Sequence, residues 1–137
     1  MTQPTPIQAW HALVQSRDMT APADLLADEV VFHSPVVHTP QRGKAITLKY
    51  LQGAMAVLNN GQFQYLREIV GERDAVLEFA TEIDGVLING VDLIRWNDAG
   101  QIVDFKVVVR PLKAINLLHL KMGEMLARLP ASAAGPV

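Results

Sequence analysis

Gly90-Val91-Asp92-Leu93-Ile94-Arg95-Trp96-Asn97-Asp98-Ala99-Gly100-Gln101-Ile102-Val103 is the stretch on which the fold turns. Asp92, Ile94 and Trp96 alternate with Leu93 and Arg95, a period of two that reads Val91 to Trp96 as a strand. Asn97-Asp98-Ala99-Gly100 is a short turn, and Ile102 to Arg110 returns as a second strand that Pro111 ends. Side chains alternate across a strand, so a carboxyl at Asp92 shares its face with Ile94 and Trp96. By the same parity Phe105, Val107 and Val109 face one way, with Asp104, Lys106, Val108 and Arg110 opposite.

Working outward, Ala75, Leu77, Phe79, Thr81 and Ile83 form one dry row of a preceding strand, backed by Val76, Glu78, Ala80 and Glu82. Asp84-Gly85 is a tight-turn signal, and Asn89-Gly90 predicts a second turn or a bulge. Phe63, Tyr65 and Ile69 share a face of an earlier strand that Gly71 ends. Before Gly61 the period becomes helical. Leu48, Leu51, Met55 and Leu58 form a stripe from Lys44 to Asn59, and Asn59-Asn60-Gly61 stops it. Val30 to His33 is a strand halted by Ser34-Pro35. Ile7, Trp10 and Val14 predict a helix over 6–17, and a second helix starts near Thr20 or Ala21, carries Leu25 and Leu26 inward and ends before Asp28. Ile115, Leu118, Met122, Met125, Leu126 and Leu129 make a final amphipathic helix. Helices set apart from an antiparallel meander mean α+β. A curved antiparallel sheet wrapped with helices into a cone encloses an apolar pocket for a small molecule.

The 137 residues suit one domain, 1–137, with its ordered core over about 6–129. Half the residues are hydrophobic and 19% are charged, as in folded proteins. A net charge of −2 without a basic stripe argues against nucleic acid, since Arg42 and Lys44 are its densest basic cluster. Cysteine is absent, which removes disulfides, thiolate metal sites and cysteine nucleophiles and suits a reducing cytoplasm. No apolar run reaches the ~18 residues of a membrane span, and no apolar segment follows a basic start. Lys113, Lys121 and Arg128 form no basic face, so the last helix reads as a lid rather than a membrane anchor. The expectation is a cytoplasmic protein with no membrane partner.

From Gly90 to Val103 the chain resembles the paired strands of SnoaL-like proteins and of ketosteroid isomerase. Gln8-Ala9-Trp10 through Asp18 is similar to that family's first helix. Leu25 through Pro35 is similar to its second helix and first strand, and Gly43 to the glycine before its third helix. The resemblance spans about residues 7–110 and implies the nuclear-transport-factor-2-like, cystatin-like α+β roll. That superfamily hosts isomerases, cyclases, epoxide hydrolases, dehydratases and binding domains, so the fold alone does not choose. The isomerase uses a carboxylate base, a tyrosine and a protonated acid. Asp92 matches the acid, whereas Ser34 stands at the base's position and Trp10 at the tyrosine's. Neither replaces the group it stands for, so ketosteroid isomerisation of the usual kind is not implied. The epoxide hydrolases need Asp and Arg in one cavity, but Asp92 and Arg95 have opposite parity.

Asp92 is accordingly the expected polar centre of the pocket, as a ligand-holding donor or catalytic acid. Trp10, Phe32, Ser34, Met55, Phe79, Phe105, Val107 and Val109 are its expected walls. The four histidines show no metal-ligand spacing, and no metal or other cofactor is expected. His33 falls outside by alternation, and His38, in the loop near the mouth, is the candidate acid–base partner of Asp92. The expected ligand is small, apolar and ring-bearing. The expected chemistry is cofactor-free proton transfer beside a carbonyl, or plain binding, or a structural dimer. The outer sheet face mixes Leu93, Val103 and Val108 with Arg95, Lys106 and Arg110, which predicts a homodimer through that face.

Overall fold

In the computed structural model, residues 5–17 and 22–128 are described. The chain runs α1 (Pro6–Ser16), α2 (Pro22–Leu25), β1 (Leu26–His33), β2 (Gln41–Arg42), α3 (Lys44–Leu58), β3 (Gln64–Val70), β4 (Asp74–Ile83), β5 (Val86–Trp96), β6 (Ile102–Arg110) and α4 (Leu112–Arg128). Thr5 opens α1 by taking the Gln8 N–H, while the Gln8 side chain takes that of Thr5. This reciprocal cap, with Pro6 in the first turn, fixes the helix that carries Trp10 inward.

The six strands lie in the order β2-β1-β6-β5-β4-β3. The meander β3–β6 is antiparallel throughout, but β1 runs parallel to β6. The expected all-antiparallel sheet is therefore a mixed one. The reason is the long excursion through α3 and the meander, which returns β6 beside β1 in the same direction, as a parallel pair requires. Register shifts interrupt β1 between Leu26 and Val31, β3 between Tyr65 and Glu68, and β5–β6 at Arg95/Trp96. Such interruptions bend strands, and the sheet curls around α3 and α4, which pack on each other and on its inner face.

Three local expectations are corrected. The second helix is a single turn that gives way to strand at Leu26, which is buried and pairs with Ile102; the expected start at Thr20 or Ala21 lies outside the described residues. Asn89-Gly90 is neither turn nor bulge but mid-strand, in unbroken register with Ala80 and Phe79. The β3 bulge reverses the alternation, so Ile69 leaves the face of Tyr65 and stands 69% exposed. The alternations of β4, β5 and β6 are as read, with Leu77, Phe79, Ile94 and Phe105 almost fully buried. Leu129 and the residues after it lie outside the described segments.

Candidate functional site

Asp92 sits on β5 with Gly90 and Ile94 on the same inward row. Its neighbours across the sheet are Leu77 on β4 and Val107 on β6. Hydrocarbon on both sides removes water from the carboxyl, and burial pushes its pKa up to about 7. A hydrogen bond from Tyr65 pulls the other way and is the smaller effect. The Tyr65 O–H donates to Asp92 Oδ2 at 3.0 Å, and Trp10 Nε1–H donates to Tyr65 Oη at 2.8 Å. Three distant elements, α1, β3 and β5, thus meet in one directional chain. Tyr65's own phenol is held well above its usual range, first by burial and then by the neighbouring Asp92 charge. Among the described residues Asp92 Oδ1 accepts no hydrogen bond, so it is the oxygen left for a ligand.

The carboxyl lines a cavity between the sheet, α3, α4 and the loop after β1. Of the residues expected there, Trp10, Phe32, Ser34, Met55, Phe79, Asp92, Phe105 and Val107 line it. Val109 is buried opposite Gly90 but lies outside the lining. His38 is exposed in its loop and does not reach the cavity; the lining histidine is His119 of α4, itself exposed. Ser34 Oγ accepts the Val36 N–H at 3.0 Å, a local turn that shapes the loop. His33 points outward to Asp104, with Nε2 2.9 Å from Oδ1, and Arg95 points outward to Asp74. Met122 of α4 also lines the cavity.

Tyr65 is the functional residue that sequence reasoning missed. Its alternation with Phe63 placed a phenol on a dry face, and a buried hydroxyl requires a partner. That partner lies two strands away, with β4 between. On its other side Tyr65 meets the edge of His11 at 4.9 Å, and His11 Nε2 lies 2.8 Å from Glu68 Oε1. Among the described residues no three His, Asp or Glu groups gather to hold a metal ion.

The fold recurs in solved structures. A steroid delta-isomerase from Pseudomonas aeruginosa is 35% identical, with a TM-score of 0.84 over 89% of either chain. A protein with a cystatin-like fold from Silicibacter pomeroyi is 29% identical, with a TM-score of 0.83 over 90% of this chain and 86% of that one. A de novo designed protein with a curved β-sheet shares the fold alone, at 13% identity and a TM-score of 0.67 over 94% of this chain and all of the other. No curated protein sequence matches the chain. The model of the SnoaL-like domain matches residues 7–105, and the chain belongs to that family.

Proposed function

We propose that this protein binds a small, largely apolar, ring-bearing ketone or enol and moves a proton on it, with Asp92 as acid and base in turn and no cofactor. The observation that carries this is the half-engaged carboxyl. Oδ2 is held by Tyr65 and Oδ1 is free toward the cavity, on a group whose pKa of about 7 suits proton transfer in either direction at neutral pH. Among the described residues Asp92 is the one carboxyl in the lining. A reaction that takes a proton from one carbon and returns it to another needs only one such group, whereas hydrolysis also needs a positioned water. The 35%-identical steroid delta-isomerase supports a proton shift as the reaction class. Ser34 in place of a base and Trp10 in place of a tyrosine make Asp92 the centre of a different arrangement.

The test is deuterium exchange at the α-carbons of a panel of cyclic ketones, followed by proton NMR alongside thermal unfolding. Saturation at ~100 times the dissociation constant should stabilise the fold by roughly 2.7 kcal/mol. Wild type should both shift and exchange its ketone, and Asp92→Asn should lose exchange by at least 100-fold, the scale of general acid–base catalysis. A shift without exchange would establish the second reading, a binding domain in which Asp92 only orients the ligand. That reading is favoured by Ser34, whose hydroxyl has no basic partner among the described residues.

A further inference from the structure

Gly53 stands in the middle of α3, buried and in ordinary right-handed helix. Glycine is a poorer helix former than alanine, so backbone freedom gives no reason for it here. The reason is what faces it. A Cβ added at this position would lie 3.2 Å from Met122 Cε, 3.5 Å from Leu126 Cδ2 and 3.8 Å from Met122 Sδ. The missing methyl is a notch in α3, and the thioether tip of Met122 on α4 sits over it. Gly123, beside Met122 in α4, is the opposite case, because a Cβ there would meet nothing within 4 Å.

Met122 has Gly53 on one side and the cavity on the other. Met122 and Leu126 both line the cavity, as do Ala54 and Met55 of α3, whereas Gly53 itself does not. The two sides of the cavity differ in stiffness. On the sheet side, Phe32, Phe79 and Phe105 are almost fully buried and held by strand pairing. On the helix side, Met55 and Met122 keep partial exposure, and methionine is unbranched with three rotatable bonds along its side chain. The movable boundary is therefore the helix side, and Met122 is the part of it whose resting place one residue of α3 fixes.

We infer that Gly53 is a specificity-determining residue whose notch holds the Met122 tip out of the cavity and so sets the longest ligand admitted toward α4. It touches no ligand and acts through Met122, as a positioning residue. A methyl at this position would bring its carbon inside the ordinary separation of about 3.5–4.0 Å, so the tip must move. The α3 backbone blocks it behind, and the free space ahead is the cavity. A short ligand leaves that space empty and is indifferent to the change; a long one competes for it. This inference rests on the reading of the cavity as the ligand site and is independent of the proton chemistry at Asp92.

The experiment is calorimetric titration of the whole chain with benzene, ethylbenzene and n-butylbenzene, which carry no oxygen for Asp92 and report on the apolar space alone. Wild type should bind all three. Gly53→Ala should weaken n-butylbenzene by about 10-fold or more, the low end of what overpacking costs, and leave benzene within about 2-fold. Gly123→Ala, the same exchange in open space, should leave all three unchanged. Gly53→Ala combined with Met122→Ala should recover n-butylbenzene, because no thioether tip remains to be displaced. Met122→Ala alone should bind it at least as tightly as wild type, a reading that does not depend on how Gly53→Ala folds. Unchanged n-butylbenzene in Gly53→Ala, equal loss of all three probes, a double variant no better than Gly53→Ala, or weaker binding in Met122→Ala would each overturn the inference and leave the ligand site standing. No heat from any probe with wild type, up to its solubility limit, would remove the ligand site and the inference together.

Discussion

The pair Asp92–Tyr65 has a stability signature that can be read without knowing the ligand. An aspartate in the unfolded chain titrates near 3.9, and this one titrates at about 7 when folded. Between those values the unfolded chain has released the proton and the folded one has kept it, so stability falls as pH rises and levels off above about 7. Relative to Asp92→Asn, wild type should lose stability on the order of 3 kcal/mol from pH 4 to 8, measured by urea unfolding. Parallel curves for the two proteins would mean that Asp92 titrates as an ordinary surface carboxylate. Tyr65→Phe should move the midpoint of that fall upward, since the tyrosine's hydrogen bond lowers the Asp92 pKa. It also leaves the Trp10 indole N–H without its acceptor, which costs about 1–3 kcal/mol. The carboxyl was legible in the sequence because alternation along one strand is a local rule. Tyr65 was not, because its partner is fixed by sheet order rather than by spacing. His119 reaches the mouth from the last helix, a placement that likewise depends on how α4 docks.

At the scale of the element, Gly90 shows where a local signal and a tertiary need diverge. Asn-Gly between apolar runs is a turn signal, yet here the glycine sits mid-strand because Phe79 leans across it. A Cβ at this position would stand 2.6 Å from both Phe79 Cζ and the Val108 carbonyl oxygen. The phenyl ring can shift but the carbonyl belongs to the sheet, so Gly90→Ala should cost about 1–3 kcal/mol by urea midpoint. It should also weaken ligand binding by displacing an aromatic wall. A variant as stable as wild type would show that the strip beside Asp92 is looser than its contacts imply. The same divergence explains the other departures. Period-two and helical patterns located every major element. What they missed were the bulge that turns Ile69 outward, the strand start at Leu26 and the parallel pairing of β1 with β6. Each of these is decided by a neighbour distant in sequence, which a pattern along one segment does not contain.

At the scale of the molecule, the outer sheet face carries two cross-strand ladders with opposite charge balance. In one, Arg67 donates to Glu78 at 3.1 Å, Asn89 joins Glu78 at 3.2 Å, and Arg110 donates to Asn89 at 3.2 Å. In the other, Arg95 donates to Asp74 at 2.8 Å, and His33 meets Asp104. The first holds two arginines against one carboxylate, the second two carboxylates against one arginine. Between them lie Val76, Val91, Leu93 and Val108, the last 49% exposed, with Lys106 opposite Leu93. We propose a second copy of this chain as the occupant of that face. A half-turn about an axis across the strands brings each ladder over its opposite, with Arg110 facing Asp104 of the other copy, as a self-complementary interface requires. Light scattering at micromolar concentration should give a dimer, and Val108→Asp should give a folded monomer. Arg110→Glu and Asp104→Arg should each raise the dimer dissociation constant about 10-fold. The double variant should restore it to within a few-fold, because the swapped charges again face each other. A monomeric wild type would dispose of the interface. A double variant no better than the singles would keep a dimer but reject this orientation.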